Sequence, residues 1–311
     1  MYVMIPNFTI GPALPEERLA AFRRAFGYLP PADRDARAAS GERMILSGEL
    51  DADGLLVARR NGAIVGAVVC LVMPGAAAMI WPPQGLATDP DREPIENALI
   101  AHGIAWVRRL GAKLGQMLLL PTEYGLAAPL LRNGFQRVTQ LLYMKHLLTP
   151  TPPPVPAGAP VTFRAYPTDE ERFRQTLMRT YELTQDCPEI TGSRTLDEIL
   201  IGHRSQGKYD PNRWWLALHE DTPVGVMMLN DLGPTEGWDV AYTGVVPEAR
   251  RRGFGLLILQ HALAETARAG AKLLALAVDI RNTPAWALYQ RAGFTAYDQR
   301  EVYLAVWREP G

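Results

Sequence analysis

The chain has 311 residues, 48% of them hydrophobic, enough for one large or two ordinary globular domains with their own cores. Its 32 basic and 33 acidic side chains leave a net charge of −1, so no global basic field draws nucleic acid or a membrane surface, and no uncharged apolar run reaches the ~18 residues of a spanning helix. Cys70 and Cys187 make neither a disulfide framework nor a metal-ligand cluster, no basic-then-apolar leader opens the sequence, and a reducing cytoplasm is the expected setting.

In chain order, 15–26 and 33–46 read as helices. Residues 55–59 and 63–72 read as a hairpin turned by Asn61-Gly62, the strongest short hairpin signal, with a third strand at 76–81. The stretch 95–110 has helical apolar spacing and stops at Gly111; a buried strand at 114–120, a short helix at 125–132 and strands within 135–148 follow. After that, 161–164 reads as a strand, 169–183 and 196–205 as helices, and Trp214–His219 with 224–230 as a hairpin. A strand at 239–246, a helix at 256–269, a strand at 273–278, a helix at 284–292 and closing strands at 297–307 complete the chain. The predicted class is α+β: a mixed, largely antiparallel sheet flanked by helices.

The order of elements repeats. GAKL occurs at Gly111–Leu114 and Gly270–Leu273, an interval of 159 residues, and the same interval links Gly134-Phe135 to Gly293-Phe294 and Gly66 to Gly225. Between the halves, LTPTPPPVPAGAPV is uncharged and rich in proline, which cannot continue a helix and reads as a semi-rigid linker. The expected organisation is a duplicated fold: a first domain at 1–149, a linker at 150–160 and a second domain at 161–311.

One motif occurs in the second half alone. In GVVPEARRRGFG, Gly244–Gly255, a strand runs into Pro247 and an apolar helix starts after Gly255. Helix N-terminal amides and the positive dipole end favour an anion there. Gly253 and Gly255 let a diphosphate approach the backbone, and Arg250, Arg251 and Arg252 supply charged donors. Val245-x-Pro247-x-x-Arg250-x-x-Gly253-x-Gly255, followed by Asn282-x-x-Ala285-x-x-x-Tyr289-x-x-x-Gly293-Phe294, resembles the GNAT superfamily of acyl-CoA-dependent N-acyltransferases, and the tandem layout resembles two-domain members of the mycothiol-synthase type.

The resemblance implies acetyl-CoA as co-substrate and direct transfer of its acetyl group to a primary amine of a small molecule or peptide. By that likeness Arg250, Arg251, Arg252, Gly253, Phe254 and Gly255 would cradle the CoA pyrophosphate. The strand ending at Val245 and Val246 would splay from its neighbour so that pantetheine adds as an extra strand, and an N–H near Val245 would receive the thioester oxygen. Asn282 would contact the pantetheine arm and Tyr289 would protonate the departing thiolate. Asp239 stands eleven residues ahead of Arg250, where histone-type members carry a glutamate base, and strand alternation groups it with Ala241, Thr243 and Val245. Glu182 and Glu189 are weaker candidate bases, Asp279 a substrate contact or a turn cap, and Cys187 a poorly supported nucleophile.

Shifted back by 159 residues, Val245–Gly255 falls on LATDPDREPIE, 86–96, where Asp91, Pro94 and Glu96 replace Arg250, Gly253 and Gly255, and Leu130 replaces Tyr289. Pro94 has no N–H to donate and the two acids oppose a diphosphate, so the first domain is expected to keep the fold without the CoA site. No metal, nucleic-acid or membrane partner is expected, and the chain is expected to be a monomer or homodimer. The competing class is a non-catalytic acyl-CoA-binding regulatory module.

Overall fold

A computed structural model describes residues 7–148, 160–233, 235 and 237–307. Except for its last residue, the proline-rich linker at 150–160 lies outside these. The first half runs β1 (Thr9–Pro12), α1 (Arg18–Ala25), α2 (Pro31–Ser47), β2 (Leu55–Arg60), β3 (Ala63–Met73), β4 (Ala77–Ile80), β5 (Gln84–Gly85), α3 (Arg92–Arg109), β6 (Leu114–Leu119), α4 (Ala128–Arg132) and β7 (Gln136–Leu147). The second half runs β8 (Thr162–Ala165), α5 (Glu170–Thr180), α6 (Leu196–Arg204), β9 (Trp214–His219), β10 (Thr222–Asp231), β11 (Trp238–Val245), α7 (Phe254–Arg268), β12 (Leu273–Asp279), α8 (Thr283–Arg291) and β13 (Thr295–Val306).

The predicted order recurs in both halves, and two strands were not anticipated. β1 is four residues long and ends in Gly-Pro, and β5 is a two-residue pairing with β3; neither is long enough to show alternation. The Asn61-Gly62 turn takes φ values of 51° and 79°, both positive as a type I′ hairpin requires.

The contacts define two compact units, one drawn from Met1–Val138 and Glu301–Gly311, the other from Thr139–Arg300. In the first unit the strand order is β1-β2-β3-β4-β6, and the end of β13, Glu301 to Val306, pairs antiparallel with β6. In the second unit the order is β8-β9-β10-β11-β12, and residues Leu141 to Leu147 of β7 pair antiparallel with β12. Each half thus sends part of its closing strand into the unit built by the other half.

In the second unit the sheet is packed on both faces. α7 and α8 cover one face through Ile258, Leu259, Ala262, Leu276, Val278 and Tyr289. α5 and α6 cover the other over β9 and β10 through Phe173, Leu177, Leu200, Trp214 and Met228. Trp214 is fully buried and still donates its Nε1–H to Asn230 Oδ1 at 3.2 Å, so this apolar layer leaves the indole satisfied. Burial of each large apolar side chain of this kind stabilises by roughly 1.5–3 kcal/mol.

Candidate active site

β11 and β12 run parallel and pair at Trp238–Leu274 and Asp239–Ala275 only. Beyond Asp239 the strands part, while β11 stays paired with β10 as far as Val245 and β12 stays paired with β7 as far as Asp279. The sheet therefore opens into a notch with Asp239 at its closed end. Val246 donates its N–H to Val224 O at 3.0 Å. Hydrogen-bonded and non-hydrogen-bonded pairs alternate in an antiparallel ladder, so the neighbouring pair Gly225–Val245 turns the Val245 N–H away from β10 and toward the notch. The Val246 amide is engaged; the Val245 amide faces the gap.

A β-bulge corrects the alternation expected along β11. Leu229 pairs with Val240 and Met228 with Tyr242, so Ala241 is the extra residue. Asp239 consequently shares its face with Tyr242 and Gly244, the face under α5 and α6, whereas Thr243 and Val245 point to the α7 side. The same face carries Ala275, Ala277 and Asp279 of β12 and Tyr143 and Lys145 of β7 by register. Ala277 is exposed, and the Lys145 ammonium lies 5.1 Å from the Tyr297 ring centroid, so a small-residue floor with an aromatic border continues from Asp239. Burial raises the Asp239 carboxyl to about 6.

At the open end, the three arginines behave differently. Arg250 donates from Nε to Val245 O at 3.0 Å, from Nη1 to Leu183 O at 3.2 Å, and from Nη2 to Thr180 O at 3.1 Å and Glu182 O at 2.7 Å. Its guanidinium is thus a fastener for the C-terminal end of α5. Arg251 and Arg252 are exposed, Arg251 in a left-handed conformation at φ 61° and Arg252 with its guanidinium 5.0 Å from the Phe254 ring centroid. Gly253 takes φ 88° as the N-cap of α7, has no atom within 4 Å of where a Cβ would sit, and the helix opens with no side-chain cap. The Leu256 N–H bonds to Gly253 O at 3.1 Å, which leaves the amides of Phe254 and Gly255 as the first-turn donors the helix does not itself engage, beside the open surface at Gly253, the environment an anion needs. Phe254 is buried, and a Cβ on Gly255 would stand 3.2 Å from Leu288 Cδ2, so α8 also requires a small residue there.

Asn282 caps α8, its Oδ1 accepting from the Ala285 N–H at 3.3 Å, which leaves the side-chain NH2 as a donor. Tyr289 is buried on α8 within the apolar core, 6.0 Å from Phe294 between ring centroids. Burial, then the charges of Asp186 and Tyr242, hold its phenol well above the ordinary tyrosine range, so it carries its proton at neutral pH. Asp239 acts instead on Tyr143, so the two expected catalytic groups have different electrostatic neighbours.

The remaining candidates are assigned by their bonds. Asp279 is fully buried, accepting from Thr139 Oγ1 at 2.5 Å, Cys187 N at 3.0 Å, and Arg281 N and Nη2 at 2.9 and 2.7 Å. Burial alone would raise its carboxyl, but hydrogen bonds from Arg281 and Thr139 outweigh it and leave it lowered; it is an anchor with no free face for substrate. Glu189 pairs bidentately with Arg281 at 2.7 and 3.0 Å, and Glu182 contributes its main-chain carbonyl to Arg250. Burial pushes the Cys187 thiol far up, against a thiolate nucleophile. Asp186 was not among the expected residues; its neighbours come from distant parts of the chain, so no local spacing announces it.

In the first unit the counterpart loop is filled by its own charges. Arg60 holds Asp89 and Asp91 at 2.8 and 2.6 Å, and Glu96 accepts from the Gly85 N–H at 3.1 Å and from Arg92 Nε at 2.7 Å.

Residues 177–294 match the Acetyltransferase (GNAT) family. A mycothiol acetyltransferase from Geodermatophilus obscurus is 31% identical over 187 residues, 57% of this chain and 58% of that protein. One from Thermobispora bispora is 29% identical over 301 residues, 88% of this chain and 96% of that protein. Among solved structures, a GCN5-related N-acetyltransferase from Sphaerobacter thermophilus aligns over 99% of this chain and 98% of its own, with a TM-score of 0.63 at 18% identity. A tandem GNAT protein from the clavulanic acid biosynthesis pathway aligns over 98% and 100%, with a TM-score of 0.52 at 17% identity. These two likenesses are of fold. Among the described residues no helix is long and apolar enough to cross a membrane.

Proposed function

We propose that the second unit, whose residues 177–294 match the Acetyltransferase (GNAT) family, takes acetyl-CoA as co-substrate and moves its acetyl group to a primary amine of a small molecule or peptide by direct attack. The observation that carries this reading is the coincidence, in one unit, of a notch between β11 and β12 and an uncapped glycine-led helix at its open end.

The residues fit acetyl-CoA part by part. The diphosphate would take the amides of 251–255 with Arg251 and Arg252 beside it, the pantetheine arm would run along Thr243–Val245 with Asn282 opposite, and the Val245 N–H would receive the thioester oxygen. The amine would approach over the Ala275–Ala277 floor, where Asp239 is the candidate base. Nitrogen attacks the carbonyl carbon, the C–S bond breaks, and Tyr289 is the candidate donor of a proton to sulfur. The name of the relatives puts a mycothiol-type acceptor first among the amines to be tried.

The first unit, in this reading, is non-catalytic, its anion seat closed by Asp91 and Glu96. Calorimetric titration with acetyl-CoA is expected to give one site per chain. Gly253→Glu should abolish binding and Pro94→Gly should leave it unchanged; equal loss in both would overturn the one-site assignment. CoA release with an amine panel separates the enzyme from a regulatory module: tight acetyl-CoA binding with every amine inert would favour the module.

A further inference from the structure

The α5–α6 connection is fixed to both sides of the notch. On one side Arg250, just beyond β11, holds the carbonyls of Thr180, Glu182 and Leu183. On the other, Asp279 at the end of β12 accepts the Cys187 N–H, and Arg281 grips Asp279 and Glu189 together. Between these anchors the backbone is held in left-handed conformations at two non-glycine residues, Leu183 at φ 53° and Cys187 at φ 41°. Such conformations persist only where the surroundings over-determine them, and they gather at functional sites.

This clasp presents one carboxylate. Asp186 is solvent-exposed, a carboxylate oxygen of it lies within 4.8 Å of Cys187 Sγ and of an Asp279 carboxylate oxygen, and its charge acts on the buried Tyr289 and the half-buried Tyr181 and Tyr242. Thr180 Oγ1 and the Tyr242 hydroxyl are 2.8 Å apart, so that phenol is already held in place. The Asp279 carboxylate alongside is occupied by Arg281, Thr139 and Cys187, which leaves Asp186 as the accessible charge at this corner. We propose that Asp186 is the acceptor-recognition residue of the second unit, seating an ammonium-bearing substrate, and that the Arg281–Glu189 pair is its positioning device. This rests on the acetyltransferase reading above.

The test uses the full chain and glucosamine, spermidine and the dipeptide Ala-Gly as amine probes. For whichever probe the wild type acetylates, Asp186→Asn is expected to raise KM at least ~10-fold, as loss of a charge-assisted hydrogen bond implies, with kcat within ~3-fold and acetyl-CoA affinity by calorimetry unchanged. Glu189→Gln should raise KM in the same direction by less and speed amide hydrogen exchange across 183–190. An unmoved KM in Asp186→Asn overturns the proposal, as does a collapse of kcat alone, which would make Asp186 the base in place of Asp239. Unchanged exchange in Glu189→Gln overturns the clasp. If no probe is acetylated while acetyl-CoA still binds, the proposal falls with the enzyme reading; loss of acetyl-CoA binding in Asp186→Asn instead assigns the residue a purely structural role.

Discussion

Asp239 sits where two strands stop pairing, and that position gives the proposed base both burial and an outlet. Burial pushes its carboxyl up to about 6, so the proton-accepting form dominates above that pH and is lost below it. At saturating amine, kcat is expected to fall about tenfold per pH unit below about 6, the behaviour of a single required base. Asp239→Asn should remove that limb and depress kcat at all pH values; a limb retained in the variant would assign it to another group. The family likeness singled out Asp239, by its spacing from Arg250, and Tyr289, by a motif on one helix, as candidates, because both signals are local. It could not distinguish the arginines. Arg250 looks like its two neighbours in the chain, and only the carbonyls of Thr180, Glu182 and Leu183, about seventy residues away in sequence, make it a fastener. Asp186 was illegible for the same reason.

At the level of elements, β11 is the piece on which the site depends. Its bulge at Ala241 moves Asp239 onto the face of Tyr242, an effect of one extra residue that strict alternation does not reveal. Gly244 lets α5 lie against this strand: a Cβ there would fall 2.6 Å from Thr180 Cβ and 2.8 Å from the Tyr242 hydroxyl. Gly244→Ala should therefore destabilise the second unit by about 1–3 kcal/mol, the usual cost of overpacking, read from a denaturant midpoint shift without a change in slope. A midpoint within error of wild type would show that α5 can retreat freely. Helices and hairpins were legible because hydrophobic period, Asn-Gly and glycine stops are written locally. The parting of β11 from β12 was anticipated only through a family likeness, since no composition distinguishes a strand that loses its neighbour.

For the whole molecule, the repeat at 159 residues was legible, but the assignment of closing strands was not, because strands on either β6 or β12 satisfy the same pattern. Gln140 and Gln299, which stand at that interval, hydrogen-bond to each other at 2.6 Å inside the second unit. A fragment of residues 161–311 lacks the strand that covers β12 and should expose an unpaired edge, giving aggregation and no cooperative melt. Starting the fragment at residue 139 should restore a cooperative melt and acetyl-CoA binding. Equal folding of both fragments would show the β7 strand to be dispensable.

The exchange of strands also bears on what mutation can erase. In the proposed one-site reading, substitutions such as those at Asp91, Pro94 and Glu96 remove a duplicate's chemistry without touching its backbone pairing. Deleting that duplicate outright would strip residues Leu141 to Leu147 from the half that keeps the site. Selection acting only on the surviving chemistry would then still preserve the silent half, as the carrier of a strand its twin cannot make for itself.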